Sequence, residues 1–360
     1  IAQGHAVIEL TIGEHDIKTA PDILHAMQRS AKDGHTGYAP VPGTQGLREI
    51  VAAQHQTQAQ VSTTAENVLI TPGAQAALFA AHLAACNPYD KALYIDPYYT
   101  TYPGMLRALS LNPVAIAAKE SNGFQPNRAS LNAAAQGAAS LLINSPNNPT
   151  GVVYNQETLE IIADTCRKHD LWLISDEVYA SQVWYGHHIT PRSLPGMEER
   201  SLIVGSMSKS HAMTGSRIGW VIGPKDIIAK LSDLATVSNY GVAGFIQDAA
   251  EYALHLGSSA LISVSAPFER RQKLALEILK EFPQINVIPS QGAMYLMLDI
   301  RSTGLNGEAF ANALLEQRKI AVMPGESFGA AAAGHIRVAM TVEDMLFSKA
   351  LNSLCYFATN

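Results

Sequence analysis

Only three of the 360 residues are cysteines, Cys86, Cys166 and Cys355, and they lie far apart without the close pairs of a metal-binding motif. So sparse and odd a set argues against a disulfide framework and fits a reducing cytoplasm. Charge is scarce too. Asp, Glu, Lys and Arg make up 16% of the chain, hydrophobic residues 47%, and the net charge is −6. That balance belongs to globular rather than disordered chains, and the scattered basic residues leave no footprint for nucleic acid. No apolar run approaches the roughly 18–20 residues of a membrane span, and the N-terminus lacks the charged-then-apolar layout of a signal peptide. The twelve histidines show no ligand spacing, His187 and His188 fall in a loop-like stretch, and no metal is expected.

What the chain does have is length for one large core or two domains and a regular alternation of short β-rich runs with helical patterns. The runs Val68–Thr71, Ala92–Ile95, Ser140–Asn144, Trp172–Ser175, Leu202–Gly205 and Gly219–Ile222 read as strands. Ala74–Cys86 and Gln156–His169 have helical spacing. Alternation of this kind predicts an α/β fold, a mostly parallel sheet with helices on both faces. Several strands end in polar or glycine-rich clusters: TPGAQ, DPYYTTYPG, NSPNNPTG, SDEVY and GSMSKS. Ligands of open α/β sheets bind at the carboxyl ends of strands, so these five clusters are expected to meet in one pocket. A long helical pattern from Ile246 to about Phe282 follows, and GAMYLMLDI, IAVMPG and HIRVAM return to strand-like segments. This predicts a large domain over 35–270 and a smaller α+β domain from 1–34 and 271–360.

Within GSMSKSHAMTGSRIGW, residues 205–220, Lys209 stands between two apolar runs. Four readings compete. Ser206-Met207-Ser208-Lys209 satisfies the Ser-x-x-Lys pattern of penicillin-recognising serine hydrolases, but the Ser-Asp-Asn and Lys-Thr-Gly strings that accompany it do not occur here. An exposed loop lysine is the plain alternative. A dinucleotide oxidoreductase needs a three-glycine fingerprint, which TPGAQAA lacks. A lysine that forms a Schiff base with an aldehyde cofactor is the fourth. It requires a carboxylate for a ring nitrogen, donors for a phenolic oxygen, an aromatic to stack on the ring, a phosphate cradle, and an arginine for an amino-acid carboxylate.

SPNNPTG at 145–151, SDEVY at 175–179, SMSK followed by TGSRIGW at 206–220, and HIRV at 335–338 occur in order. With LTIGEHD and GYAPVPGTQGLRE near the N-terminus, they resemble the class I/II aminotransferases, fold-type I pyridoxal phosphate enzymes, over nearly the whole chain. The resemblance implies transfer of an amino group from an amino acid to a 2-oxo acid in two ping-pong stages, with a β-lyase on the same fold as the rival. A noncatalytic cofactor-binding regulator is disfavoured, since no separate DNA-binding segment precedes the domain. By the same resemblance Lys209 anchors the cofactor and moves the substrate proton, and Asp176 pairs with the ring nitrogen. Tyr179 and Asn148 donate to the phenolic oxygen, and Tyr99 stacks on the ring. Ala74, Gln75, Ser206, Ser208 and Arg217 hold the phosphate, joined by Tyr38 from a neighbouring subunit, which implies a homodimer with shared sites. Arg337, Asn148 and the backbone of Gly13 bind the substrate carboxylate.

Departures from the family pattern bear on the substrate. Ser216 stands where a tryptophan is frequent, Gln75 where one dicarboxylate-specific branch has a lysine, and Leu234 where another has an arginine. The obvious partners of a side-chain carboxylate are therefore missing, and the donor stays open. His15, in GEHD, falls in a segment that borders the substrate in the family, or else is a solvent-facing loop residue.

Overall fold

The computed structural model describes residues 6–360. Its strands are β1 (Ile8–Glu9), β2 (Val68–Thr71), β3 (Lys91–Asp96), β4 (Asn112–Ala117), β5 (Ala138–Asn144), β6 (Trp172–Asp176), β7 (Ser201–Ser206), β8 (Gly219–Ile222), β9 (Tyr295–Asp299), β10 (Ile320–Ala321), β11 (Met323–Pro324) and β12 (His335–Ala339). Seven of them form one sheet in the order β2-β8-β7-β6-β5-β3-β4. Neighbours run parallel except β8, which is antiparallel to both β2 and β7.

The central strands are apolar at successive positions because both faces are covered. Leu142, Ile174, Leu202 and Val204 pack with Ala77, Leu78 and Ala81 of the helix Ala74–Ala85. Their neighbours Leu141, Ile143 and Leu173 point the other way, onto Leu159 and Ile162 of the helix Gln156–His169. This period-2 division of one buried run between two helical layers makes the sheet a three-layer core.

A second core has its own framework. The antiparallel set β11-β12-β9 buries Leu296, Leu298, Ile336 and Val338 against Phe310 and Leu314 of the helix Gly307–Arg318 and Phe347, Leu351 and Leu354 of the helix Asp344–Thr359. Leu10 joins this core from the N-terminal segment, its amide on Ala321 and its carbonyl on Ala339, both at 2.9 Å. The two cores lean together along the carboxyl edge of the large sheet.

Two features depart from the sequence reading. The single helical pattern after Ile246 is two helices, Gly244–His255 and Ser258–Lys280, parted at Gly257, whose φ of +67° ends the first. Residue 270 lies inside the second. The edge strand β4 begins Asn-Pro and alternates only weakly in burial, so it carries little strand signal. The three cysteines are unpaired, and no helix among the described residues is long and apolar enough to cross a membrane.

Candidate active site

All five polar clusters meet at the carboxyl edge of the large sheet, around a cavity of about 330 Å³. Twelve of the residues singled out in the sequence line it: Gly13, Ala74, Gln75, Tyr99, Asn148, Asp176, Tyr179, Ser206, Ser208, Lys209, Arg217 and Arg337. Because β8 is antiparallel, its first residues start at the edge where β7 ends. One turn therefore delivers both Lys209 and Arg217.

Lys209 sits on the one-turn helix Met207–Ser210, capped by Ser206, whose Oγ accepts the Ser208 amide at 3.0 Å. Its Nζ donates to the Gly13 carbonyl. Burial pulls its pKa down from 10.5 to about 8; the Arg337 and Arg217 cations add to the effect and Glu14 opposes it. The amine is thus neutral in a useful fraction near physiological pH.

Asp176 ends β6 with its carboxylate buried. Oδ2 accepts the Tyr102 hydroxyl at 2.6 Å and Oδ1 the Val178 amide at 3.3 Å. No cation pairs with it among the described residues, and burial raises its pKa from 3.8 to about 6. A positive group placed beside it would reverse that penalty. Asn144 steadies this floor, donating to the Asp176 carbonyl at 2.9 Å and accepting the Asn148 amide at 2.8 Å.

The opposite corner is built for an anion. Gly73, with φ +84°, opens the helix Ala74–Ala85, whose first amides lack intrahelical partners. The Arg217 guanidinium packs so close to Gly73 that a Cβ there would overlap it. Arg217 is itself left-handed at φ +48° and stays exposed at the cavity mouth, donating to the Thr214 carbonyl at 2.9 Å.

Arg337, on β12, is buried. It donates to Asn148 Oδ1 at 2.8 Å and to the Thr11 carbonyl, and lies between the rings of Tyr295 and Phe328, 4.4 and 4.5 Å from their centroids. Its Nε is buried without a partner, and burial lowers its pKa. The hydroxyls of Tyr179 and Tyr295 are 2.8 Å apart, and burial pushes the Tyr179 phenol well up. Tyr99 meets Tyr102 edge-on at 5.7 Å.

Tyr38 is outside the cavity, 89% exposed, and packs edge-on against Tyr240 at 5.0 Å. Tyr102, Tyr295, Phe328 and Asn144 also line the cavity without having been singled out in the sequence; only Tyr102, in PYYTTYP, and Asn144, in NSPNNPTG, belonged to a flagged cluster. Gln75 carries no charge and accepts from Thr101 at 3.1 Å. Elsewhere Glu120, Asp299 and His335 approach one another, but Arg301 already donates to both carboxylates, so the positive charge of that cluster is supplied by the chain.

Comparison with known proteins places this geometry. The family described as aminotransferase class I and II matches residues 5–354. The chain is 38% identical to an arginine–pyruvate transaminase of Pseudomonas aeruginosa over 95% of its own length and 87% of that protein. It is 32% identical to an aspartate aminotransferase of Bacillus subtilis, over 91% and 86%. Its structure superposes on an aspartate aminotransferase from Thermus thermophilus, solved with maleate, with a TM-score of 0.93 at 32% identity, covering 99% and 93% of the two chains.

Proposed function

Since the chain belongs to the class I and II aminotransferases and is a transaminase, we propose that it works with pyridoxal 5'-phosphate held by the residues of this cavity, in a ping-pong exchange between amino and 2-oxo acids. The observation that carries the proposal is the pair of opposite demands set about one cavity. Asp176 is a buried carboxylate with no cation beside it among the described residues, and the Gly73–Arg217 corner joins helix-end amides to a guanidinium. A phosphorylated pyridinium satisfies both. When bound, that cofactor supplies an aldehyde able to bond an amine and a cationic ring that withdraws electrons from the substrate α carbon.

Each residue then has a task. Lys209 would anchor the cofactor through its amine and, when that amine is free, would take and return the proton at the substrate α carbon, a role suited to an amine of pKa about 8. Asp176 keeps the ring nitrogen protonated. Tyr179 and Asn148 donate to the phenolic oxygen, Tyr99 covers the ring, and Ala74, Gln75, Ser206, Ser208 and Arg217 hold the phosphate. Arg337 clamps the substrate carboxylate, Asn148 and the Gly13 backbone helping to orient it. The exposed Tyr38 beside Tyr240 supports a homodimer in which Tyr38 of the partner subunit reaches the phosphate. The division into a cofactor-holding part, 35–270, and a smaller part, 1–34 and 271–360, belongs to the same reading and is supported by the separate cores, as is a cytoplasmic location by the unpaired cysteines.

The cavity's cations are Lys209, Arg217 and Arg337, all assigned above, and Gln75 is neutral. Within one chain this supports a donor without a side-chain carboxylate, a class that includes the arginine in the name of one relative. Purified protein given pyridoxal phosphate should show a visible band that an amino donor shifts, and a Lys209→Ala protein should lose the band; its persistence would overturn the anchor. A donor panel with pyruvate and 2-oxoglutarate tests the substrate class, and aspartate as the best donor would refute it.

A further inference from the structure

His15 is absent from the cavity wall, yet it is joined to the central lysine. Its Nε2 lies 3.0 Å from the Lys209 main-chain carbonyl. A carbonyl only accepts, so Nε2 carries the proton, and Nδ1 is left buried without a partner. The ring stands edge-on to buried Phe268, centroids 5.4 Å apart. The same carbonyl accepts a second bond, at 3.1 Å, from Nε2 of fully buried Gln182. Two donors thus fix the plane of the Lys209 peptide, while the lysine amine reaches back to Gly13, two residues before His15.

Both donors are tied to the second core. Asp16 receives the buried Arg271 guanidinium on both oxygens, at 2.9 and 2.6 Å. Arg271 also donates to Asp344 and to the Met340 carbonyl, each at 2.9 Å. The Gln182 carbonyl accepts the Ala293 amide at 2.8 Å, two residues before Tyr295. The lysine's main chain is therefore registered against both cores.

We propose that His15 is a positioning residue for catalysis: by donating to the Lys209 carbonyl, together with Gln182, it sets where the lysine amine stands relative to the substrate's α carbon. This rests on the transaminase reading of Lys209 given above. The amine hangs on a flexible four-carbon stem, so a small rotation of the peptide at its root displaces it by a distance that matters for proton transfer. A neutral ring is needed beside the amine; burial, helped by the Lys209 charge, brings the pKa of His15 down to about 4 and keeps it neutral.

The test compares His15→Phe, which keeps an aromatic against Phe268 and removes the donor, with His15→Gln, which restores an amide donor at similar reach, and with Gln182→Leu. Cofactor-loaded enzyme gives kcat, donor KM and the pH midpoint of the visible band. Cofactor-free protein gives the pH dependence of Lys209 acylation by mass spectrometry. His15→Phe is expected to lower kcat about tenfold, the worth of one misplaced hydrogen bond, with donor KM within about twofold. Both pH midpoints should move, and His15→Gln should recover most of the change. Wild-type kcat and midpoints in His15→Phe, or a change in KM alone, would overturn the proposal and leave the transaminase reading standing. Loss of the band or of amino transfer in the wild type would instead overturn that reading. Should His15→Phe fail to fold, Gln182→Leu decides, since unmoved midpoints there would equally refute control through the carbonyl.

Discussion

At the scale of single residues, the chemistry depends on what burial does to charge. Lys209 with a pKa of about 8 gains its neutral, nucleophilic form as pH rises, so the rate of pyridoxal phosphate uptake by cofactor-free protein should climb about tenfold per pH unit below that value and level off above it. An exposed lysine would keep climbing toward 10.5; following the visible band by stopped flow distinguishes the two. Arg337→Ala should raise KM for every amino donor at least tenfold, because the buried guanidinium is the cavity's remaining cation for a carboxylate; unchanged donor kinetics would refute its role. Gln75→Lys should turn the cavity toward aspartate, seen as a rise in kcat/KM for that donor relative to neutral ones. Lys209, Asp176 and Asn148 were legible as cavity residues because they stand in polar clusters where apolar runs end, whereas Arg337, inside the strand-like HIRVAM, was legible through the family resemblance. Tyr295 and Phe328, which flank Arg337, were not, since an aromatic inside an apolar run reads as core until the tertiary fold turns its face to a cation.

At the scale of elements, the anion corner depends on a backbone shape more than on side chains. Gly73 combines a positive φ with direct contact to the Arg217 guanidinium, so Gly73→Ala meets both a strained backbone and an overlap. Equilibrium dialysis should find pyridoxal phosphate bound at least tenfold more weakly in that variant, with Tm of the cofactor-free protein lowered by a few degrees through the strained backbone; equal affinity would show that the corner is not the cradle. The glycine was visible in TPGAQ, but its reason was not, because Arg217 lies far along the chain. Strong strands such as β2 and β8 stood where the apolar runs put them. By contrast, β4 shows little because an edge strand with a proline is held by one neighbour rather than by its own pattern.

At the scale of the whole molecule, three buried histidines and the half-buried His15 set the acid limit. His15, His55, His82 and His211 are each held by burial to a pKa of about 4, against 6.5 when free. Between those values the unfolded chain binds more protons than the folded one, so stability is full above 6.5 and is lost as pH falls toward 4, by up to about 1.4 kcal/mol per pH unit for each histidine. Urea unfolding across pH 4.5–7 should show this slope, and His82→Phe should reduce it by about one proton; an unchanged slope would exclude His82 as a contributor. His82 suits the test because it is fully enclosed, is not itself part of the cavity wall, and has Nε2 unpartnered. The antiparallel β8 has a further consequence, for heredity rather than for energy. By drawing Lys209 and Arg217 from the single connection between β7 and β8, while Met323 and Phe328 of the second core line the same cavity, the fold places the lysine's turn and part of the cavity wall in separate stretches of the gene. Selection can revise Met323 without rewriting the lysine's own turn, whereas residues 11–15 serve both, since Gly13 and His15 bond Lys209 and Thr11 bonds Arg337.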